Sequence, residues 1–199
     1  YPVEALVAAS IVAYQRARAG QQPQAPAQRA LDELAASDNQ QLTDDDQPAY
    51  QEAALRVGAV RFAALPATPL AGRVQLRLEP GELGQTCVRV VDTKGERDEQ
   101  TLAHRCTYVV VWPASARLAA DGRALVLAVQ PTATWTELWL FKAEAASANW
   151  AVNVLPPAAS MPSVGYVEWA GFVPGQAKML VAREALQEGG KSLRRFEVL

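Results

Sequence analysis

The chain has 199 residues, half of them hydrophobic, with 19 basic and 21 acidic side chains, a formal charge of -2 and a single histidine. A chain of this size and composition can bury a core without a metal or a disulfide, as one domain or as a domain with an arm. Its balanced charge gives no footprint for a phosphate backbone, so nucleic acid is not an expected partner. The longest charge-free apolar stretch near the start, Ala5 to Tyr14, falls short of the roughly 20 residues that span a bilayer.

The first sixty residues read as helical. Val3 to Ala19 is alanine-rich, with Val3, Leu6, Val7, Ile11 and Tyr14 at helical spacing, which predicts one buried stripe; Arg16 and Arg18 suit its C-terminal end and Gly20 stops it. Gln21 to Pro26 reads as a linker, followed by a short helix from Ala27 to Ala36 with Leu31 and Leu34 on one side. Asp44, Asp45 and Asp46 precede Pro48 to Val57. Carboxylates at a helix start accept its unpaired N–H groups and Pro suits the first turn, so a third helix accounts for the aspartates. Three consecutive aspartates do not match the alternating carboxylates and central glycine of a calcium loop, and no metal site is expected.

From Arg61 the period changes to two, dividing the chain into a helical segment over residues 1–60 and an antiparallel β region over residues 61–199. Arg73 to Glu79 alternates strictly, with Val74, Leu76 and Leu78 on one face, and Pro80-Gly81 turns it. Further strands are predicted at Cys87–Val91, Cys106–Trp112, Ala124–Val129, Glu137–Phe141, Trp150–Leu155, Tyr166–Phe172, Met179–Arg183 and Arg195–Leu199, about nine in all. Cys87 and Cys106 each begin a β-rich run. If those runs pair as a hairpin through Asp92 to Gln100, the sulfurs can meet and close a loop in an oxidising compartment; the alternative is two reduced, half-buried thiols in a cytosolic protein.

One phrase occurs twice. Ala119 to Val129 leads to Glu137–Phe141, and Val173 to Ala182 leads to Arg195–Leu199, each a glycine-containing turn, an apolar strand, a polar connection and a second strand. The first copy, with its Asp121-Gly122 turn and Leu138-Trp139 pair, resembles the WD-like repeat of TolB-type bacterial β-propellers. The second departs from it, because Pro174-Gly175 lacks the Asp and Phe196 to Leu199 replaces the Leu-Trp pair. The resemblance covers roughly Ser115 to Leu199, and the stretches Gly165–Gly171 and Leu180–Glu184 also look like a group of uncharacterised secreted proteobacterial proteins. It implies a mainly β fold of propeller-like antiparallel sheets with two blade-like units, or three if Arg73 to Trp112 forms another, in neighbouring sheets that bury their apolar sides against each other. Closure needs four or more blades, so an incomplete propeller is expected, with an open sheet or a β-sandwich capped by the helices as the alternative. The sequence opens at Tyr1 without an initiator Met and stops inside an apparent strand; the expectation is a periplasmic or secreted protein whose signal peptide has been removed, truncated at its end, with a cytoplasmic protein as the alternative.

Candidate chemistry is sparse. With His104 as the sole histidine, a His-rich zinc site is excluded and a Ser-His-Asp triad would have to run through it; no Gly-x-Ser-x-Gly elbow exists, Ser115, Ser160 and Ser163 fall in loops, and His104 reads as a surface residue near a turn. Glu168 and Glu184 are the better acid pair, since a carboxylate among Tyr166, Trp169 and Phe172 would suit proton transfer in a glycan hydrolase. Strand alternation instead lets Glu168 face solvent or pair with Arg183. Among the tryptophans, Trp112, Trp139, Trp150 and Trp169 sit on strands, and Trp139 and Trp150 read as core. Trp135 reads as a loop tip and, with Tyr166 and Trp169, as a binding surface. No glycine-rich phosphate loop, Cys-x-x-Cys or Walker lysine is present, so no nucleotide or other cofactor is expected. The sequence points to a non-enzymatic exported binding or scaffolding module, its partner a protein, peptide or glycan, or a second copy pairing through open β edges. The alternatives are a glycan hydrolase using Glu168 and Glu184, and a structural fragment of a larger propeller.

Overall fold

A computed structural model describes residues 2–19, 21, 24–36, 42–64, 70, 72–93, 98–144, 150–158, 164–187 and 191–199. Gly20, Ser160 and Ser163, to which the sequence assigned a helix stop and loop positions, lie outside them. The chain divides into two units, Tyr1–Pro66 and Ala67–Leu199.

The first unit holds three helices, α1 (Pro2–Arg18), α2 (Gln24–Ala36) and α3 (Asp46–Ala64). The start of α3 is fixed by reciprocal capping: the Thr43 hydroxyl accepts from the Asp46 N–H at 3.3 Å and donates to the Asp46 carboxylate at 2.7 Å, and the Thr43 N–H lies 3.4 Å from the same carboxylate. The helix then continues to Ala64, past the change of period at Arg61. On α1 the buried stripe is Val3, Leu6, Ala9, Ala13, Tyr14 and Ala17, and Leu6 and Ala9 pack with Ala30, Ala53 and Val57. Ile11, expected in that stripe, is 41% exposed. Small alanine side chains on three helices let the backbones approach closely, so the seam follows the alanines.

The second unit is built from ten strands: β1 (Val74–Pro80), β2 (Thr86–Thr93), β3 (Glu99–Thr107), β4 (Val110–Leu118), β5 (Ala124–Thr132), β6 (Trp135–Ala143), β7 (Trp150–Leu155), β8 (Gly165–Phe172), β9 (Met179–Leu186) and β10 (Ser192–Val198). The strand expected over Cys106–Trp112 is two strands, ending and restarting around Tyr108 and Val109. The chain is mainly β, as expected. β1, β2 and β3 form a three-stranded antiparallel sheet, and the other seven form a mixed sheet in the order β10-β9-β8-β6-β5-β4, with β7 also paired to β6; neither closes on itself.

The two sheets pack face to face. Val74, Val88, Val90 and Ala103 of the smaller sheet meet Ala116, Leu125, Leu127, Val129, Trp139 and Phe141 of the larger, and the Arg105 guanidinium crosses the gap to lie 4.6 Å from the centre of the Trp139 ring. β5 is buried along most of its length on both faces. Ser115, expected in a loop, is buried in β4, where the register slips between Trp112 and Arg117. Its hydroxyl donates to the Trp112 carbonyl at 2.6 Å and accepts from the Ala128 N–H at 2.8 Å, replacing the ladder bonds that the slip removes.

The two copies of the repeated phrase are β5–β6 and β9–β10, which with the preceding β4 and β8 form two antiparallel meanders. Their turns close alike: the Ala119 N–H bonds the Ala124 carbonyl and the Gly122 N–H the Ala119 carbonyl, while the Val173 N–H bonds the Lys178 carbonyl and the Gln176 N–H the Val173 carbonyl. Gly122 and Gly175 both take φ of 69°, the left-handed region that glycine enters without a Cβ penalty. The copies do not bury apolar sides against each other. They join edge to edge in one sheet, through a parallel pairing of Trp135–Thr136 with Gly165–Tyr166. The remainder of the same edge of β6, Leu138–Ala143, is taken by β7.

Gly165 is confined at this seam. A Cβ there would lie 2.8 Å from the Glu184 carbonyl oxygen and 3.0 Å from Pro157 Cβ, whereas one on Gly171 in the same strand would meet open space. Gly165→Ala is expected to destabilise the β unit by about 1–3 kcal/mol and Gly171→Ala by under about 0.5 kcal/mol, read from urea unfolding midpoints at equal slope.

Candidate functional site

Chemistry-bearing side chains collect at two places on the β unit, the β8–β9–β10 end of the large sheet and the outward face of the small one. At the first, register places Tyr166 opposite Glu184 and Glu184 opposite Arg194, so the three form a row across three strands. The Tyr166 hydroxyl donates to Glu184 Oε2 at 2.8 Å, and Arg194 donates through Nε to the same oxygen at 2.7 Å and through Nη2 to the Tyr166 oxygen at 2.9 Å. Burial, followed by the hydrogen bond to the Glu184 carboxylate, holds the Tyr166 phenol above its usual value. The exposed Arg194 guanidinium is likewise held above its ordinary value, chiefly by its bond to Glu184. The cluster binds β10 to β8 over the top of β9.

The next row on this face is Glu168, Ala182 and Phe196. Glu168 and Glu184 therefore share a face on diagonal positions, and the residue opposite Glu168 is Ala182 rather than Arg183. Glu184 Oε2 already accepts from both Tyr166 and Arg194. On the reverse face Arg183 pairs with Glu197 at 3.0 Å and donates to the Pro156 carbonyl, beside an open cleft of about 280 Å³ lined by Pro157, Ala185, Leu193 and Arg195.

β10 is the last strand of the sheet among the described residues. The Leu199 and Met179 backbones exchange both hydrogen bonds, so the alternation of the antiparallel ladder directs the N–H groups of Leu193, Arg195 and Glu197 toward β9 and those of Ser192, Arg194, Phe196 and Val198 away from it. Phe196 and Val198 are 68% and 60% exposed.

On the small sheet, Cys87 and Cys106 face each other across β2 and β3 and are joined by a disulfide, the first of the two sequence alternatives. His104, two residues before Cys106 and on the same face, is exposed in the middle of β3 rather than near a turn, with Nε2 3.4 Å from Cys106 Sγ. The same face carries an ion-pair network in which Arg89, opposite His104, lies between Glu79 and Glu99, and Arg77 also pairs with Glu99.

Two aromatic assignments change. Trp135 is 1% exposed and is no loop tip: Ala133 and Thr134 make the turn, Trp135 opens β6 opposite Thr132, and its Nε1 donates to Glu137 Oε1 at 3.1 Å. Trp135 lies at the seam between the meanders, opposite Gly165. Trp169 is half-buried, stacked at a tilt on Phe172 with 5.4 Å between ring centres. Sequence reasoning missed Arg194, Phe196 and the nearness of His104 to the disulfide. Aligning the Met179–Arg183 and Arg195–Leu199 strands as a hairpin would have placed Arg194 against Glu184.

Comparison with protein-family models, curated proteins and solved structures finds no match for this chain. The site is therefore read from its geometry alone.

In an alkaline titration followed by phenolate absorbance, Tyr166 is expected to ionise above the usual value near 10. Tyr14, raised by burial, also ionises late. Tyr166→Phe should remove one late-ionising phenol. Because the folded value is raised, the contribution of the neutral phenol is complete below about pH 10 and is lost as pH rises through the folded value, so the variant should lose less stability than the wild type over that range.

Proposed function

We propose that the β unit is a non-enzymatic binding module of an exported protein, and that it takes an extended segment of a partner protein as an added strand along β10. The observation that carries this reading is the outward row of backbone groups at Ser192, Arg194, Phe196 and Val198, flanked by the exposed Phe196 and Val198 side chains. An unpaired edge of this kind offers main-chain hydrogen bonds for affinity, and side chains on alternate positions for selectivity. The Tyr166, Glu184 and Arg194 row supports it by fixing β10 against the sheet, so little ordering is left to be done on binding.

In this reading β4–β6 and β8–β10 are two blade-like meanders of an open array, and the second presents the edge. The disulfide supports an exported setting, since such bonds persist in oxidising compartments. No helix among the described residues is long and apolar enough to cross a membrane.

Selection of displayed random peptides against the full chain tests the reading. Enriched peptides are expected to carry apolar residues at alternate positions and to bind at least tenfold more weakly to Val198→Pro, which deletes an outward N–H while leaving the ladder to β9 intact. Equal binding to Val198→Pro and wild type would overturn it. Sedimentation of the wild type checks the other occupant, a second copy on the same edge.

A further inference from the structure

We propose that Cys87, Cys106 and His104 form a redox-gated zinc site: when a dithiol reductant opens the Cys87–Cys106 bond, the two thiolates and His104 Nε2 bind one Zn²⁺, with water in the fourth position. The ligand atoms of the three residues all lie within 4.8 Å of one another. They sit on one face of two paired strands, Cys106 directly opposite Cys87 and His104 two residues along, so the backbone holds all three without a loop having to close. Two thiolates and one imidazole are a donor set that selects zinc and other thiophilic cations over magnesium or calcium.

The distances agree with this. Zn–S and Zn–N bonds of about 2.3 and 2.0 Å at a tetrahedral angle put sulfur and nitrogen about 3.5 Å apart and the two sulfurs about 3.8 Å apart. Cys106 Sγ and His104 Nε2 are already at 3.4 Å. The sulfurs have to separate and Cys87 Sγ has to settle at the same distance from Nε2, starting from atoms that all lie within 4.8 Å, which side-chain rotation on directly opposed strand residues supplies. Access is from solvent: His104 is exposed and Cys106 half-buried, while Gly81 and Gln85 close the far side, Gln85 Oε1 lying 3.9 Å from Cys87 Sγ. The nearest cationic side chain in the row, Arg89, is engaged by Glu79 and Glu99 and so presents little net repulsion to an arriving cation.

The steps balance. The dithiol passes two electrons and two protons to the Cys87–Cys106 bond, which breaks to two thiols as the reductant itself becomes a disulfide. Zn²⁺ then displaces both thiol protons to solvent, and the neutral imidazole donates its Nε2 lone pair. Two thiolates cancel the charge of the ion, and the bound site is neutral.

The test uses the full chain without a histidine tag, reduced by a phosphine, which does not compete for the metal, and titrated anaerobically with Co²⁺ and then Zn²⁺. The reduced protein is expected to take up one Co²⁺ with a thiolate-to-cobalt charge-transfer band and the intense visible bands of tetrahedral cobalt, and Zn²⁺ should displace it. The oxidised protein should give neither. His104→Ala, which leaves the disulfide and so the fold in place before reduction, should weaken uptake at least about tenfold, and Cys87→Ser should abolish the charge-transfer band. Melting of the reduced protein should rise on adding Zn²⁺. Absence of cobalt bands in the reduced protein, unchanged affinity in His104→Ala, or equal uptake by the oxidised protein would each overturn the proposal, including the case in which reduction unfolds the chain and only unstructured thiols bind.

Discussion

Burial of β5 on both faces is the constraint around which the β unit is arranged. A strand with Leu125 to Gln130 all shielded must be paired along both edges and covered above and below, since an unpaired backbone polar group costs free energy comparable to a lost hydrogen bond. β4 and β6 satisfy its edges. One cover is the small sheet, whose valines and Ala103 meet Leu125, Leu127 and Val129. Where β4 slips out of register, the Ser115 hydroxyl takes over, so even the irregularity leaves the Ala128 N–H satisfied. The polar chemistry of the molecule is pushed outward by the same requirement, onto the far face of the small sheet and the β8–β10 end of the large one.

Much of this was legible in the sequence. Three helices and eight of the strand cores follow from periodicity and turn chemistry, because each depends on residues close in the chain, and the meeting of the two cysteines was one of two alternatives. The limits have physical causes. Ile11 is excluded from the helical seam because alanine, which carries almost no hydrophobicity signal, allows closer packing. Glu99–Thr107 carries no clean alternation, since its outward positions face water beside an ion-pair network, and the apolar residues from Cys106 onward therefore read as one strand instead of the end of one and the start of the next.

Less of the site could be read. Trp135 looked exposed because it follows a Pro-Thr-Ala-Thr run, but a strand can begin immediately after a two-residue turn, and its first side chain is then as likely to be core as any other. The Tyr166, Glu184 and Arg194 row and the His104 and Cys106 pair depend on cross-strand register, a non-local quantity that a one-residue slip would have reversed. The repeated phrase was legible as a glycine-containing turn and two strands; that the units meet by their edges was not, since only two residues on each side make the junction.

That junction has a mechanical consequence. Between β6 and β8 the sheet is continuous for only a two-residue bridge, reinforced by the Gly165 N–H to the Thr134 carbonyl, while each meander is internally laced by longer ladders. Its cohesion consequently rests on few backbone bonds, at a position where a Cβ on Gly165 would crowd the Glu184 carbonyl and Pro157. A sheet assembled this way is strong along its strands and within each half, and has one short tie line along which load or thermal motion concentrates.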